Sequence, residues 1–166
     1  MTLTSVPRES LITASAEETL EFGRRLAARL RPPLVIFLSG ELGAGKTTLA
    51  KGIISGLGAA REEDVTSPTF TLVHEFRAPA PGAPAREDTS APAAGLRVFH
   101  IDLYRIEGPA ALETLGLDDI FDRPAIVLVE WPEKWTLRSD WPVLGIQLAT
   151  LEDGRHSFTL EADAEW

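Results

Sequence analysis

The chain contains no cysteine, which excludes disulfides, thiolate-bound metals and thiol catalysis together. Its three histidines are scattered along the sequence, so a structural zinc site is not expected either. No apolar stretch approaches the ~18 residues that a membrane-spanning helix needs. Residues 1–15 mix Thr, Ser, Arg and Glu without a hydrophobic run, so no secretory signal is expected and the expected location is the cytoplasm. Basic residues are in deficit, with 16 Lys and Arg against 25 Asp and Glu, a net charge of −9. A protein that holds nucleic acid alone needs clustered cations for the phosphates, and this balance argues against one. What is present is an ordinary globular composition, 44% hydrophobic and 25% charged over 166 residues. Residues 1–166 read as a single domain, large enough to bury a core.

One segment carries a complete motif. Gly40-Glu41-Leu42-Gly43-Ala44-Gly45-Lys46-Thr47-Thr48 fits G-x-x-x-x-G-K-[ST]. The apolar, β-branched run Leu34-Val35-Ile36-Phe37-Leu38 before it reads as a buried strand, and Lys46 to Ile54 reads as a helix. Glycines at 40, 43 and 45 free the backbone to wrap around a phosphate chain and turn its N–H groups inward. The helix N-terminus adds its own attraction for anions. Lys46 is expected to reach the β- and γ-phosphates, and the Thr47 hydroxyl to take a place on Mg²⁺. The expected ligand is a nucleoside triphosphate. No Asn-Lys-x-Asp sequence for reading guanine follows, so GTP is not the favoured one. No long Arg-rich segment follows that would read as a kinase lid.

The rest of the chain alternates strands and helices. Glu9 to Thr13 reads as an edge strand. Ser15 and Glu18 form a capping box opening a helix to about Leu30, with Leu20, Gly23, Leu26, Ala27 and Leu30 on one face. Val65 to Phe76 begins as a turn around Ser67-Pro68-Thr69 and becomes a strand. Residues 78–95 are rich in Ala and Pro and read as a flexible insertion joining two strands like a long hairpin connection. Leu96 to Asp102 alternates apolar and polar residues as a strand. Pro109 to Leu115 is a short helix stopped by Gly116. Ala125 to Glu130 is a second fully apolar strand, expected at the centre beside the loop strand. Segments 144–149 and 156–161 form a hairpin around Glu152-Asp153-Gly154. The predicted fold is α/β: a three-layer, P-loop NTPase-like arrangement with a mixed parallel and antiparallel sheet, antiparallel at one edge.

A phosphate loop still needs a carboxylate for metal and water, normally at the end of a strand beside the loop strand. Asp102 and Glu130 both end such strands, and either could bind Mg²⁺ while the other orients the attacking water. Ser67 or Thr69 could reach the γ-phosphate as a switch segment does, or merely cap a proline turn. His100 shares a strand face with Asp102, and His74 is expected on a solvated face. Arg105 could meet a phosphate or pair with an acid. Trp131 is expected near the nucleotide or a partner, unless it is a core aromatic.

Taken with the loop, the blocks Ser67-Pro68-Thr69-Phe70-Thr71-Leu72-Val73, His100-Ile101-Asp102-Leu103-Tyr104-Arg105 and Leu128-Val129-Glu130-Trp131-Pro132 resemble the bacterial TsaE family. The resemblance runs from about residue 15 to 135. It implies ATP and Mg²⁺ as ligands and weak ATPase activity in isolation. It also implies partners, the TsaD and TsaB proteins, whose complex modifies adenosine 37 of ANN-reading tRNAs with a threonylcarbamoyl group, so that tRNA is met only through the complex. By position, Lys46 binds phosphate with the loop residues 40–48, Thr47 and Glu130 hold Mg²⁺, Asp102 positions or activates water, and Trp131 neighbours the nucleotide or the partner. Glu41 stands where the family often has Asp, and the 78–95 insertion is longer than usual. Two other readings compete: a small-molecule or nucleoside kinase on the same fold, and a non-catalytic module that only senses ATP.

Overall fold

A computed structural model describes residues 8–68, 71–79, 95–164 and 166. Its strands are β1 (Arg8–Thr13), β2 (Leu34–Ser39), β3 (Val73–Ala78), β4 (Leu96–Asp102), β5 (Ala125–Glu130), β6 (Val143–Thr150) and β7 (His156–Ala162). Helices α1 (Ala16–Ala27), α2 (Lys46–Gly56) and α3 (Pro109–Glu113) lie between them, with 3₁₀ turns at Glu62–Asp64, Leu117–Asp122 and Pro132–Lys134. All seven strands join one sheet in the order β1-β7-β6-β2-β5-β4-β3. The inner strands β6, β2, β5 and β4 run parallel. Both flanks are antiparallel: β3 on β4 at one side, and β6, β7 and β1 at the other. The expectation of one antiparallel edge therefore undercounts, because the connection after β3 returns the chain beside it as a hairpin. Most of that connection, residues 80–94, lies outside the described residues.

The sequence pattern explains why the sheet holds two layers apart. Every residue of β5 is buried, as a strand covered on both faces requires. Leu34, Ile36 and Leu38 of β2 pack with Leu26, Leu49, Ile53 and Ile54 of α1 and α2. Val35 and Phe37 pack on the opposite face with Leu117, Ile120, Trp135 and Trp141. Strand β4 alternates apolar and polar residues in sequence, yet His100 and Asp102 are both buried.

Ser15 caps α1 by accepting the Glu18 N–H at 3.1 Å, while Glu18 returns a bond to the Ala14 N–H at 2.6 Å. The reciprocal partner is thus one residue earlier than a strict capping box gives. The helix ends at Ala27, three residues short of the expected Leu30, and Leu30 continues into the core through a turn.

Helix α2 carries the phosphate-loop motif at its N-terminus, and its seating against α1 depends on glycine. A Cβ on Gly52 would stand 2.4 Å from the Leu20 carbonyl oxygen, and one on Gly23 would meet Gly52 backbone at 2.8 Å. Backbone cannot yield as a side chain can, so the two helices must separate to admit a methyl group. Gly52→Ala gains ~1 kcal/mol of helix propensity, but overpacking of this kind costs up to ~3 kcal/mol. The expected outcome is a net loss near 2 kcal/mol, read by calorimetry as a fall in Tm of roughly 4–8 °C. An unchanged Tm would show that the crossing is slack. Among the described residues, no helix is long and apolar enough to cross a membrane.

Candidate functional site

The parallel strands deliver three chain segments to one end of the sheet. Strand β2 ends at Ser39, and the chain turns through residues 40–45 into α2, with Gly43 and Gly45 at positive φ. At Gly40 a Cβ would stand 2.5 Å from the Leu148 carbonyl oxygen, so the loop leaves the sheet only with glycine there. Strands β4 and β5 end together: Asp102 lies directly opposite Glu130 in their register. A cavity of about 260 Å³ opens between these strand ends and the loop. Loop residues Leu42, Gly43, Gly45, Lys46, Thr47 and Thr48 line one side, and Ser67, Asp102, Tyr104, Glu130 and Trp131 the other. Three residues of the motif stand back from it. Ala44 is buried beneath the loop, and Gly40 and Glu41 turn their carbonyls to Lys46.

The polar contacts divide into two sets. Thr47 Oγ1 donates to Glu130 Oε1 at 3.0 Å, and Glu130 Oε2 meets His100 Nε2 at 2.6 Å. On the adjacent strand, Asp102 Oδ2 accepts from Ser67 Oγ at 3.0 Å and Oδ1 from the Tyr104 N–H at 2.9 Å. Both carboxylates are almost wholly buried, at 2% and 3% exposure. Of the two acids the sequence leaves as alternatives, Glu130 is the one bonded to Thr47. A hydroxyl and a carboxylate oxygen that close are the hard donors that Mg²⁺ takes from a protein when phosphate and water fill its other positions.

Lys46 is buried and donates from Nζ to the Gly40 and Glu41 carbonyls at 2.7 and 2.8 Å. Burial lowers its pKa below the usual 10.5, opposed by the charges of Glu130, Glu133 and Asp102. Nζ lies 4.2 Å from the centre of the Trp131 ring, a cation–π contact. Trp131 gets there by an unusual route for a large residue, with φ of 60°. Tyr104 packs its ring 5.1 Å from the Trp131 ring, and Lys134 ties the following turn back by donating to the Tyr104 and Ile106 carbonyls.

A family model described as "Threonylcarbamoyl adenosine biosynthesis protein TsaE" matches residues 13–157. The chain belongs to the TsaE family. That family is one of tRNA threonylcarbamoyladenosine biosynthesis. Similar relatives named as TsaE proteins include those of Haemophilus influenzae, 38% identical over 69% of this chain and 65% of that protein, and of Bacillus subtilis, 40% identical over 72% and 63%. The chain thus spans just under two thirds of the length of these two. The match to the TsaE protein of Mycobacterium bovis is fuller, 37% identical over 90% of this chain and 82% of that one. Among solved structures, YdiB of Bacillus subtilis superposes with a TM-score of 0.64 at 29% identity, covering 96% of this chain and 88% of that one. The fold is the α/β, P-loop NTPase-like one expected.

Within this TsaE chain, Ser67 joins the site through Asp102, whereas Thr69 lies outside the described residues. Arg105 is exposed at the end of the Asp102 segment. His74, on the outermost strand β3, is half-buried and bonds Thr71 Oγ1 at 2.7 Å. Burial and the neighbouring His100 lower its pKa. Sequence reasoning missed the His100–Glu130 bond, for which the shared face with Asp102 was the available signal. It also assigned no role to Tyr104, which lies within the His100–Arg105 block, and missed Lys134, which no motif marks.

Proposed function

We propose that this chain binds ATP with Mg²⁺ and hydrolyses it, and that its ATP cycle serves turnover of a TsaD–TsaB complex that transfers threonylcarbamoyl to adenosine in ANN-reading tRNAs. The observation that carries the reading is the pair of buried carboxylates facing a glycine-rich loop, one bonded to Thr47 and the other a strand away. Lys46 supplies an ammonium to the β- and γ-phosphates, and loop residues 40–48 wrap the chain of phosphates. Thr47 and Glu130 hold Mg²⁺, which when bound neutralises charge on the phosphate oxygens. Asp102 orients the attacking water and accepts its proton as the water oxygen bonds to the γ-phosphorus and the bond to the ADP oxygen breaks. Ser67 and the Tyr104 N–H hold the Asp102 carboxylate at the angle this needs. Trp131 covers Lys46 and keeps water from the ammonium.

The site has two acids and one lysine at its centre, and no arginine among the residues that line the described cavity. Phosphoryl transfer without such a charge is slow, and a partner that supplies or orders one adds ~10³–10⁵ in rate. Weak hydrolysis alone and strong stimulation by the complex are therefore expected. A net charge of −9 suits a component that meets protein and leaves the tRNA to its partners. The test is phosphate release from Mg·ATP by the purified chain, with and without TsaD–TsaB. A rise on the order of 10²-fold or more supports the coupled cycle. An unchanged rate removes the coupling, and phosphate found on a small acceptor in place of free phosphate makes the protein a kinase.

A further inference from the structure

His100 is fully buried, touches the site, and has no part in the reaction above. We propose that it is a positioning residue: its imidazole fixes the plane of the Glu130 carboxylate, so that Oε1 stays aimed at the cation seat beside Thr47. The inference rests on the reading that this site takes Mg·ATP.

The register of the sheet sets up the contact. His100 lies opposite Leu128, and Asp102 opposite Glu130, so the imidazole reaches Glu130 along a diagonal. Its Nε2 stands 2.6 Å from Oε2. A carboxylate that holds a cation through Oε1 only accepts at Oε2, so in the proposed arrangement Nε2 carries the hydrogen, and the bond is of the charge-assisted kind. The other oxygen, Oε1, takes the Thr47 hydroxyl at 3.0 Å. One carboxylate is therefore gripped from two elements, β4 on one oxygen and α2 on the other. Thr47 alone would fix a single oxygen and leave the group to pivot about it. The second anchor removes the pivot.

The imidazole is a poor choice for packing alone. Its Nδ1 has no hydrogen-bond partner among the described residues, and its face of the sheet holds Val98, Ile126 and Leu128, all fully buried. His74 stands opposite in β3 but spends its Nε2 on Thr71. A leucine here would carry no unpaired Nδ1, and an unpaired buried polar atom weakens the fold, although it would also take away the partner of Glu130 Oε2. What the imidazole gives in return is orientation of Glu130. Bonds of this outer kind are typically worth 10–100-fold in metal affinity.

Calorimetric titration of the full chain with ATP, in EDTA and across a Mg²⁺ series, tests this without reference to turnover. The variants are His100→Leu, which removes the donor, and His100→Gln, whose amide nitrogen stands where Nε2 stands. His100→Leu is expected to raise the Mg²⁺ concentration giving half of the metal-dependent gain in ATP affinity by about tenfold or more. Affinity in EDTA should stay within about twofold, and His100→Gln should return the midpoint to within about threefold of the parent. Equal shifts in both variants, or no shift in either, would overturn the proposal and leave His100 a packing residue. Should His100→Leu melt below the assay temperature, His100→Asn replaces it with the same expectation, because its shorter amide falls short of Oε2. A parent protein that binds no ATP, or binds it without regard to Mg²⁺, would instead sink the function on which the inference stands.

Discussion

Asp102→Asn is expected to slow phosphate release by ~10²–10⁴, the usual worth of a positioned general base, while Mg·ATP still binds within about threefold of the parent affinity. The substitution is chosen for what it preserves. Asparagine has the same shape, and its carbonyl oxygen can still accept from Ser67 or the Tyr104 N–H, two donors that the Asp102 carboxylate now accepts from. What it loses is the ability to take a proton from water. Single-turnover phosphate release with calorimetric binding on the same preparation separates the two effects. Retained binding with lost hydrolysis excludes a module that merely senses ATP. An unaffected rate would mean that water is oriented by another group. Lost binding would make Asp102 a cation ligand, in conflict with the Thr47–Glu130 bond.

Lys46→Ala should abolish ATP binding. An ammonium facing two phosphates makes two charge-assisted bonds, each ~1.5–3 kcal/mol, and their sum corresponds to roughly 10²–10⁴ in affinity. The loop also loses the ammonium that now joins the Gly40 and Glu41 carbonyls, which adds to the loss. The lysine makes a pH prediction as well. Burial holds its folded pKa below the unfolded 10.5. Between those two values the unfolded chain binds the extra proton, so this group adds stability as pH rises through the window. ATP affinity must fall over the same window, because the free protein loses its ammonium there. Binding and stability contributed by Lys46 thus move in opposite directions on the alkaline side. A titration in which ATP affinity stays level until above the ordinary lysine value would contradict the buried position.

The strands and helices were legible wherever a single period dominated. Strands β2, β4 and β5 begin and end within a residue of the segments that announce them; in β2 and β5 burial on both faces makes that segment a nearly unbroken apolar run. The phosphate-loop segment was equally readable, since its glycines answer to backbone geometry and not to distant neighbours. Contacts made across the sheet were another matter. The alternation in β4 puts His100 and Asp102 on one face without saying what covers it, and only the packing of α2 against that face shows why they are buried. The choice between Asp102 and Glu130 beside Thr47 turns on a one-strand difference that no linear spacing encodes. Gly23 and Gly52 look like weak points in two helices until the helices are seen to touch through them.

Leu72 and Trp131 share a property that bears on engineering. Neither is glycine, yet they adopt φ of 65° and 60°, a conformation that costs of order 1–3 kcal/mol for ordinary side chains. The Leu72 carbonyl receives the Asp102 N–H at 2.9 Å, and the Trp131 ring lies over Lys46. A library ranked on heat resistance by backbone relief would enrich glycine at both positions. Each change would loosen a residue on which the proposed chemistry depends, one through Asp102 and the other through Lys46. Thermostabilisation of this protein should therefore hold positions 72 and 131 constant and seek its gains on the polar outer strands.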